Sequence, residues 1–140
     1  MGELTDDHEL GAWLREVHRV AIVGVSPRPD RPSHSVAAYV LSHTDWEVDF
    51  VNPTCEFVLG RPTYPSLAAL PRPPDLVDVF RRTELLAEIT NQAIEIGAGG
   101  VWFQLGLIDD RAAATASTAG MAVVQNRCLR IEHERLLRFA

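Results

Sequence analysis

Five short runs of mostly apolar residues alternate with helical patterns along most of this chain. The runs are residues 20–24, 47–51, 75–80, 99–104 and 121–125. Apolar runs of this length are typical of parallel strands that are covered on both faces. Strands that alternate with helices imply right-handed crossover connections between neighbouring strands. The pattern therefore predicts an α/β fold, a doubly wound, parallel five-stranded sheet with helices on both faces.

The helical patterns between these runs begin and end at residues that favour helix termini. The first pattern, residues 6–17, has one apolar face and is expected to pack on the sheet. Ser33 and Thr83 are the predicted N-caps of the next two helices, because their hydroxyl groups can accept hydrogen bonds from free N–H groups. The other predicted features are Gly97 as a C-terminal glycine, a helix over 109–119 that closes at Gly120, a last helix after Leu129 with Ile131 and Leu136 facing inward, and a proline-broken segment, 53–74, with a short helical turn at 66–70.

Composition limits the class of protein. The 140 residues, of which 46% are hydrophobic, suit one domain over 1–140. No apolar run approaches the ~20 residues that a membrane helix needs, and the acidic N-terminus lacks the apolar region of a signal peptide. The two cysteines, Cys55 and Cys128, lie far apart in a pattern that suits a reducing compartment and no metal. We therefore expect a cytoplasmic protein without a membrane partner.

Charge limits the chemistry further. The net charge of −6 argues against a nucleic-acid partner, for which a basic surface is expected. All 13 basic residues are arginine, so no lysine can bind phosphate as in a P-loop or form a Schiff base. A phosphate ligand would have to be bound by arginine, backbone N–H or hydroxyl groups.

The first predicted strand leads into a turn that suits an anion. Gly24 permits a sharp turn directly after the strand, and a helix is predicted to start at Ser33. Free N–H groups and the helix dipole both favour negative charge at such a turn. The dinucleotide pattern Gly-x-Gly-x-x-Gly is absent, and a stiff, cationic Ser-Pro-Arg-Pro segment follows the glycine instead.

Polar or glycine residues follow the carboxyl ends of all five predicted strands. Ligands of doubly wound sheets bind outside these ends, near the point where the strand order reverses. Each group alone has a structural explanation, because arginine pairs are often solvated and Asn-Pro suits a turn, but together they predict a cationic groove. The candidate ligand-binding residues are Gly24, Val25, Ser26, Pro27 and Arg28, with Ser33 and His34 at the helix start, then Asn52 and Pro53, Phe80, Arg81 and Arg82, Gln104, Leu105 and Gly106, and Asn126, Arg127 and Cys128.

The end of the second strand discriminates between nucleotides. An NAD site needs Asp or Glu there to accept hydrogen bonds from the ribose hydroxyl groups. This strand ends in Asn52, and Asp49 comes too early. An end without a carboxylate, near arginines, suits a ribose that bears a phosphate, as in NADP or coenzyme A (CoA).

Ordered segments of the chain resemble a known family, the small stand-alone CoA-binding proteins of the YccU-like type. This family is related to the CoA-binding domain of succinyl-CoA synthetase α subunits. The segments that carry the resemblance are VAIVGVSPRPDRPSHSVAAYV (20–40), VNPTCEFVLGRPTYPSLAALP (51–71), DLVDVFRR (75–82), IGAGGVWFQLGLID (96–109) and VVQNRCLRIEH (123–133).

The resemblance implies a single Rossmann-like domain that binds CoA across the strand ends. The first loop and the helix start at Ser33 would bind the pyrophosphate. Residues 52–53 and 80–81 would flank the adenosine, and residues 104–106 and 126–128 would face the pantetheine arm. The glycine-rich loop of the synthetases is replaced here by Ser-Pro-Arg-Pro, so individual phosphate contacts cannot be transferred from them.

No catalytic residue is indicated, and three functions remain open. The first is a stand-alone module, non-catalytic or regulatory, that binds CoA or acyl-CoA. The second is an NADP-type enzyme, against which the missing glycine pattern argues. The third is an empty fold that acts as an interaction subunit of an acyl-CoA enzyme, and a protein partner or homo-oligomer is open in each case. Cys128 is either a structural cysteine or a thiol that forms a mixed disulfide with the cofactor.

Overall fold

The computed structural model describes residues 2–138, which form one eight-stranded sheet. The strand order is β1-β8-β7-β6-β2-β3-β5-β4, and every pair is parallel except the β4–β5 hairpin. The strands are β1 (Gly2–Glu3), β2 (Arg19–Val23), β3 (Glu47–Val51), β4 (Phe57–Val58), β5 (Arg61–Tyr64), β6 (Leu76–Val79), β7 (Gly100–Phe103) and β8 (Ala122–Val124).

The predicted α/β class and the five predicted strands, β2, β3, β6, β7 and β8, are confirmed. The predicted number of strands was too small, because three short edge strands extend the sheet. β1 and β4 have two residues each, so neither could be seen as an apolar run. Both strands exist only because they pair with a neighbour. Next to β8, the Gly2 N–H donates to the Met121 carbonyl at 3.0 Å, and the Leu4 N–H donates to the Val123 carbonyl at 2.8 Å. β4 pairs with β5 in the hairpin.

Helices cover both faces of the sheet. On one face α1, α2 and α5 bury Trp13, Val36 and Leu129, and Trp13 stacks on Trp102 of β7 at 6.5 Å between ring centroids. On the other face α3 and α4 bury Ile89 and Ala113. The helices are α1 (Asp7–Glu16), α2 (Pro32–His43), α3 (Leu86–Glu95), α4 (Asp110–Thr118) and α5 (Leu129–His133), with 3₁₀ turns at Leu67–Ala69 and Thr83–Leu85 and a π-helical turn at Glu134–Arg138.

Two predicted N-caps were wrong, while the predicted glycine ends of α3 and α4 at Gly97 and Gly120 were right. The N-cap of α2 is Arg31, and Pro32 occupies the first helical position, where its missing N–H costs nothing. The hydroxyl of Ser33 instead accepts a hydrogen bond from the Ser26 N–H. Thr83 opens a 3₁₀ turn, so the α-helical part begins only at Leu86.

The strand order reverses between β2 and β6. The chain leaves β2 toward β3 on one side, whereas β6, β7 and β8 follow one another on the other side. The loops after β2 and β6 therefore diverge and leave a crevice at the carboxyl edge of the sheet. No helix within residues 2–138 is long and apolar enough to cross a membrane.

Candidate functional site

The exits of β2 and β6 touch at Gly24. Its φ is +84°, and its N–H donates to the Val51 carbonyl at 2.9 Å. A Cβ atom added at Gly24 would lie 2.3 Å from the Phe80 carbonyl oxygen and 2.7 Å from Cδ of Arg81. Only glycine fits this position. Its missing side chain lets the β2 exit and the β6 exit pack directly against each other.

The loop after β2 is shaped by its own polar groups. The Ser26 N–H donates to Ser33 Oγ at 2.9 Å, and the Arg28 N–H donates to Ser26 Oγ at 3.1 Å. No side chain hydrogen-bonds to the N-terminus of α2 within the described residues. The positive end of the α2 dipole is therefore left open toward the crevice.

One large groove runs from the β2 exit past the β6 exit to the β7 exit and α5. It has a volume of about 820 Å³, and we call it the main groove. Its polar lining includes the side chains of Ser26, Ser33 and Gln104. Four arginines also line it, namely Arg28, Arg31, Arg81 and Arg82. Its other lining residues are Gly24, Pro32, Val36, Phe80, Leu105, Leu107, Cys128 and Ile131.

A second, smaller cavity of about 210 Å³ lies on the other side of Gly24 and Arg81, which line both spaces. We call it the side cavity. It is enclosed by the β2 and β3 exits, the 3₁₀ turn at Leu67–Ala69 and helix α3. Its lining includes Pro53, Leu67 and Ile89. The two spaces thus share two lining residues where the strand order reverses, which suits a ligand with two arms.

The arginines of the main groove are weakly engaged. Arg28 pairs with Asp30 at 3.2 Å and Arg82 with Glu84 at 3.9 Å, and both pairs are largely exposed. Exposed ion pairs contribute at most about 1 kcal/mol, so an anionic ligand can replace them. Arg31 and Arg81 form no salt bridge within residues 2–138. The groove therefore offers positive charge to an anion, although the protein is acidic overall.

Asn52 joins two loops rather than lining a cavity. Its side chain is nearly buried, its Nδ2 donates to the Val25 carbonyl at 2.7 Å, and its Oδ1 accepts from the Thr54 N–H and hydroxyl. The amide thus holds the β2 exit against the β3 exit. Contact of Asn52 with a ribose remains a prediction.

The β8 exit contributes less to the groove than predicted. Arg127 lines neither space, because its guanidinium donates to the Thr5 carbonyl at 3.1 Å and to Glu132 at 3.2 Å. Asn126 has a φ of +57°, and its Oδ1 accepts from the Gly106 N–H at 2.8 Å. Arg127, which was predicted to contribute to the cationic groove, therefore does not line it.

Most other predicted positions do line the two spaces. Of the predicted residues, Gly24, Ser26, Arg28, Ser33, Phe80, Arg81, Arg82, Gln104, Leu105 and Cys128 line the main groove, and Pro53, Gly24 and Arg81 line the side cavity. Those that line neither are Val25, Pro27, His34, Asn52, Gly106, Asn126 and Arg127.

Sequence reasoning missed some residues of the groove. Arg31 lies in the quoted loop and could have been found by its charge. Ile131 was predicted to face inward, but it is 48% exposed and lines the groove, because Leu129 already fills the core position of the short helix α5. Leu107 follows a tight turn in which its N–H donates to the Gln104 carbonyl. No local sequence pattern predicts that Leu107 lines the groove.

Two buried titratable groups lie on the groove side of the sheet. Burial lowers the pKa of His133, whose Nδ1 lies 2.7 Å from the Tyr39 hydroxyl, and this contact ties α5 to α2. Asp78 of β6 is fully buried, and neither carboxylate oxygen has a hydrogen-bond partner within residues 2–138. Burial raises the pKa of Asp78 well above its ordinary value of 3.8.

Comparisons with known proteins agree with this fold and show its family. A family model described as a CoA binding domain matches residues 18–134. The uncharacterized protein YneT of Bacillus subtilis is 34% identical over 125 residues, which are 89% of this chain and 92% of YneT. A hypothetical protein from Pyrococcus horikoshii OT3 has 41% identity and a TM-score of 0.90 over 95% of this chain and 93% of its own. A protein from Thermus thermophilus has 32% identity and a TM-score of 0.88 over 95% of this chain and 100% of its own.

Proposed function

This chain belongs to the CoA binding domain family, and from that premise we propose that it binds coenzyme A or an acyl-CoA as a non-catalytic module. The pyrophosphate lies in this proposal at Gly24 and the N-terminus of α2. The adenosine enters the side cavity, and the pantetheine arm extends along the main groove.

The observation that carries the proposal is that Gly24 and Arg81 line both spaces. CoA has a nucleotide and a pantetheine arm joined by a pyrophosphate, and the two spaces offer one site for each arm on either side of Gly24 and Arg81. The junction is also where positive charge gathers, since Arg28, Arg31 and Arg81 line the main groove beside the helix terminus. A doubly charged pyrophosphate is stabilised by such a terminus and by arginine side chains.

The main groove is lined by groups that suit binding, and among the described residues neither a histidine nor a carboxylate lines it, while Glu88 lines the side cavity. Its ionisable side chains are four arginines and Cys128. An arginine stays protonated at physiological pH and cannot act as a general acid or base. Gln104 and the serine hydroxyl groups can orient a ligand, which is the role that we assign to them.

Thermal unfolding with four nucleotides tests the proposed function. We expect CoA to raise the melting temperature most, dephospho-CoA less, and NADP and NAD least, because only CoA combines a phosphorylated ribose with the pantetheine arm. Ligand at about a hundred times its Kd adds roughly 2.7 kcal/mol to the free energy of unfolding. A larger shift with NADP than with CoA would favour a nucleotide-dependent enzyme, and no shift with any ligand would favour an interaction subunit with an empty fold.

Substitution of Arg81 tests the junction. We expect Arg81→Gln to weaken CoA binding by about tenfold or more, since a charged hydrogen bond contributes roughly 1.5–3 kcal/mol. Arg72→Gln is the matched control, because Arg72 lines a separate cavity with His18 and Arg19 at the amino ends of the strands. Isothermal titration calorimetry gives both affinities, and equal losses in the two variants would contradict the assignment of Arg81.

A further inference from the structure

The main groove has one cationic end and one apolar end. The β2 exit supplies Arg28 and Arg31, whereas the β7 exit and α5 supply Leu105, Leu107 and Ile131. In the sheet order β8-β7-β6-β2, the β6 exit separates these two ends. Phe80 lines the groove at that exit together with Arg81 and Arg82.

The apolar end is unusually exposed. Leu105 is 64% and Ile131 is 48% exposed, and Ile108, in the same loop as Leu105, is 51% exposed. The other large exposed apolar side chains among the described residues, Phe57 and Leu59, lie at the distant β4–β5 hairpin. A cluster of exposed apolar side chains at one end of a ligand groove marks contact with an apolar group.

We propose that the ligand is an acyl-CoA thioester whose acyl chain lies along Leu105, Leu107 and Ile131. This inference rests on the proposed binding of CoA and names the form of CoA that is bound. Free CoA ends in a small thiol, and the acyl chain of acetyl-CoA is a single methyl group beyond the thioester carbonyl, so both would leave this apolar end uncovered. A medium-length chain would cover it, while the arginines at the opposite end bind the phosphates.

Gln104 marks the boundary between the two ends. Its Oε1 accepts from the Leu129 N–H at 3.4 Å, which holds the amide in place. Its Nε2 has no hydrogen-bond partner within residues 2–138, although the residue lines the groove. In the proposed complex this N–H donates to the thioester carbonyl, beyond which the acyl chain begins.

Affinity as a function of chain length tests the inference. Calorimetric titrations compare CoA, acetyl-CoA and octanoyl-CoA on the same protein. We expect octanoyl-CoA to bind at least about tenfold more tightly than acetyl-CoA, because its additional methylene groups are partly buried in the complex. The double variant Leu105→Ser/Ile131→Ser should lose this gain, so that octanoyl-CoA and acetyl-CoA bind it with similar affinity. Phe57→Ser, at an equally exposed apolar position on the hairpin, should change neither affinity.

The outcomes separate this inference from the function on which it rests. Tight binding of CoA with no dependence on chain length would overturn the acyl assignment and leave CoA binding intact. Failure of every thioester and of CoA itself to bind would overturn the proposed function. A preference for octanoyl-CoA that survives in the double variant would overturn the placement of the chain. Self-association that the double variant abolishes would assign the apolar end to a second copy of this chain instead.

Discussion

A Gly24→Ala variant is expected to lose about 2–5 kcal/mol of its free energy of unfolding, from left-handed backbone strain and overpacking. The strain arises because φ is +84° at this position. The overpacking arises because the new Cβ would lie 2.3 Å from the Phe80 carbonyl oxygen, a backbone atom that cannot rotate away. Separation of the β2 and β6 exits would also open the junction of the two cavities, so CoA binding should be lost.

Gly60→Ala separates the two causes. Gly60 has a φ of +74°, but nothing lies within 4 Å of its added Cβ. The Gly60→Ala variant should therefore lose only the free energy of unfolding that left-handed backbone strain costs, about 1–2 kcal/mol. It should bind CoA as the wild type does. In thermal unfolding the Gly24 variant should melt roughly 6–15 °C below the wild type. Equal melting temperatures for the two variants would show that the close approach to Phe80 carries no cost.

An Asp78→Asn variant is expected to be more stable than the wild type at neutral pH. Asp78 pairs in register with Ile22 and Trp102 at the centre of the sheet and has no partner for its charge within residues 2–138. Burial raises the pKa of Asp78 in the folded protein above the value of 3.8 that applies when it is unfolded. Asparagine keeps the shape and a polar group but never ionises, so the substitution isolates the effect of the charge.

The direction of the pH dependence follows from proton linkage. Between its unfolded and folded pKa values, Asp78 binds more protons in the folded protein, so each rise of one pH unit costs the wild type about 1.4 kcal/mol. The contribution of protonated Asp78 to the free energy of unfolding is fully present below about pH 4. It is lost as the pH rises through the pKa of Asp78 in the folded protein. Denaturant unfolding at several pH values should show the advantage of Asp78→Asn growing upward from about pH 4.

Asp45→Asn is the control for this experiment, since Asp45 is exposed. Its free energy of unfolding should follow the wild-type curve over the same pH range. Parallel curves for Asp78→Asn and the wild type would mean that the Asp78 carboxylate has a partner that the described residues do not supply.

The sequence by itself determined the α/β class, the five central strands and the position of the turn after β2. Each of these depends on local chemistry: β3 was predicted at its observed bounds because its three apolar residues, Val48, Phe50 and Val51, are near neighbours in the chain. Gly24 marked the turn after β2 for the same reason. Most of the predicted residues that line the main groove and the side cavity follow from the strand positions, because the carboxyl ends of parallel strands meet at one edge of the sheet.

Only the tertiary structure decided the features that depend on distant partners. β1 and β4 are too short to be stable alone and exist through pairing with β8 and β5. Arg127 leaves the groove because the fold brings the Thr5 carbonyl within hydrogen-bond distance of its guanidinium. The sequence showed an acid within an apolar run at Asp78, but its complete burial requires the strands on both sides and the helices that cover them. Burial and orientation are sums over contacts from the whole chain, so no local pattern determines them.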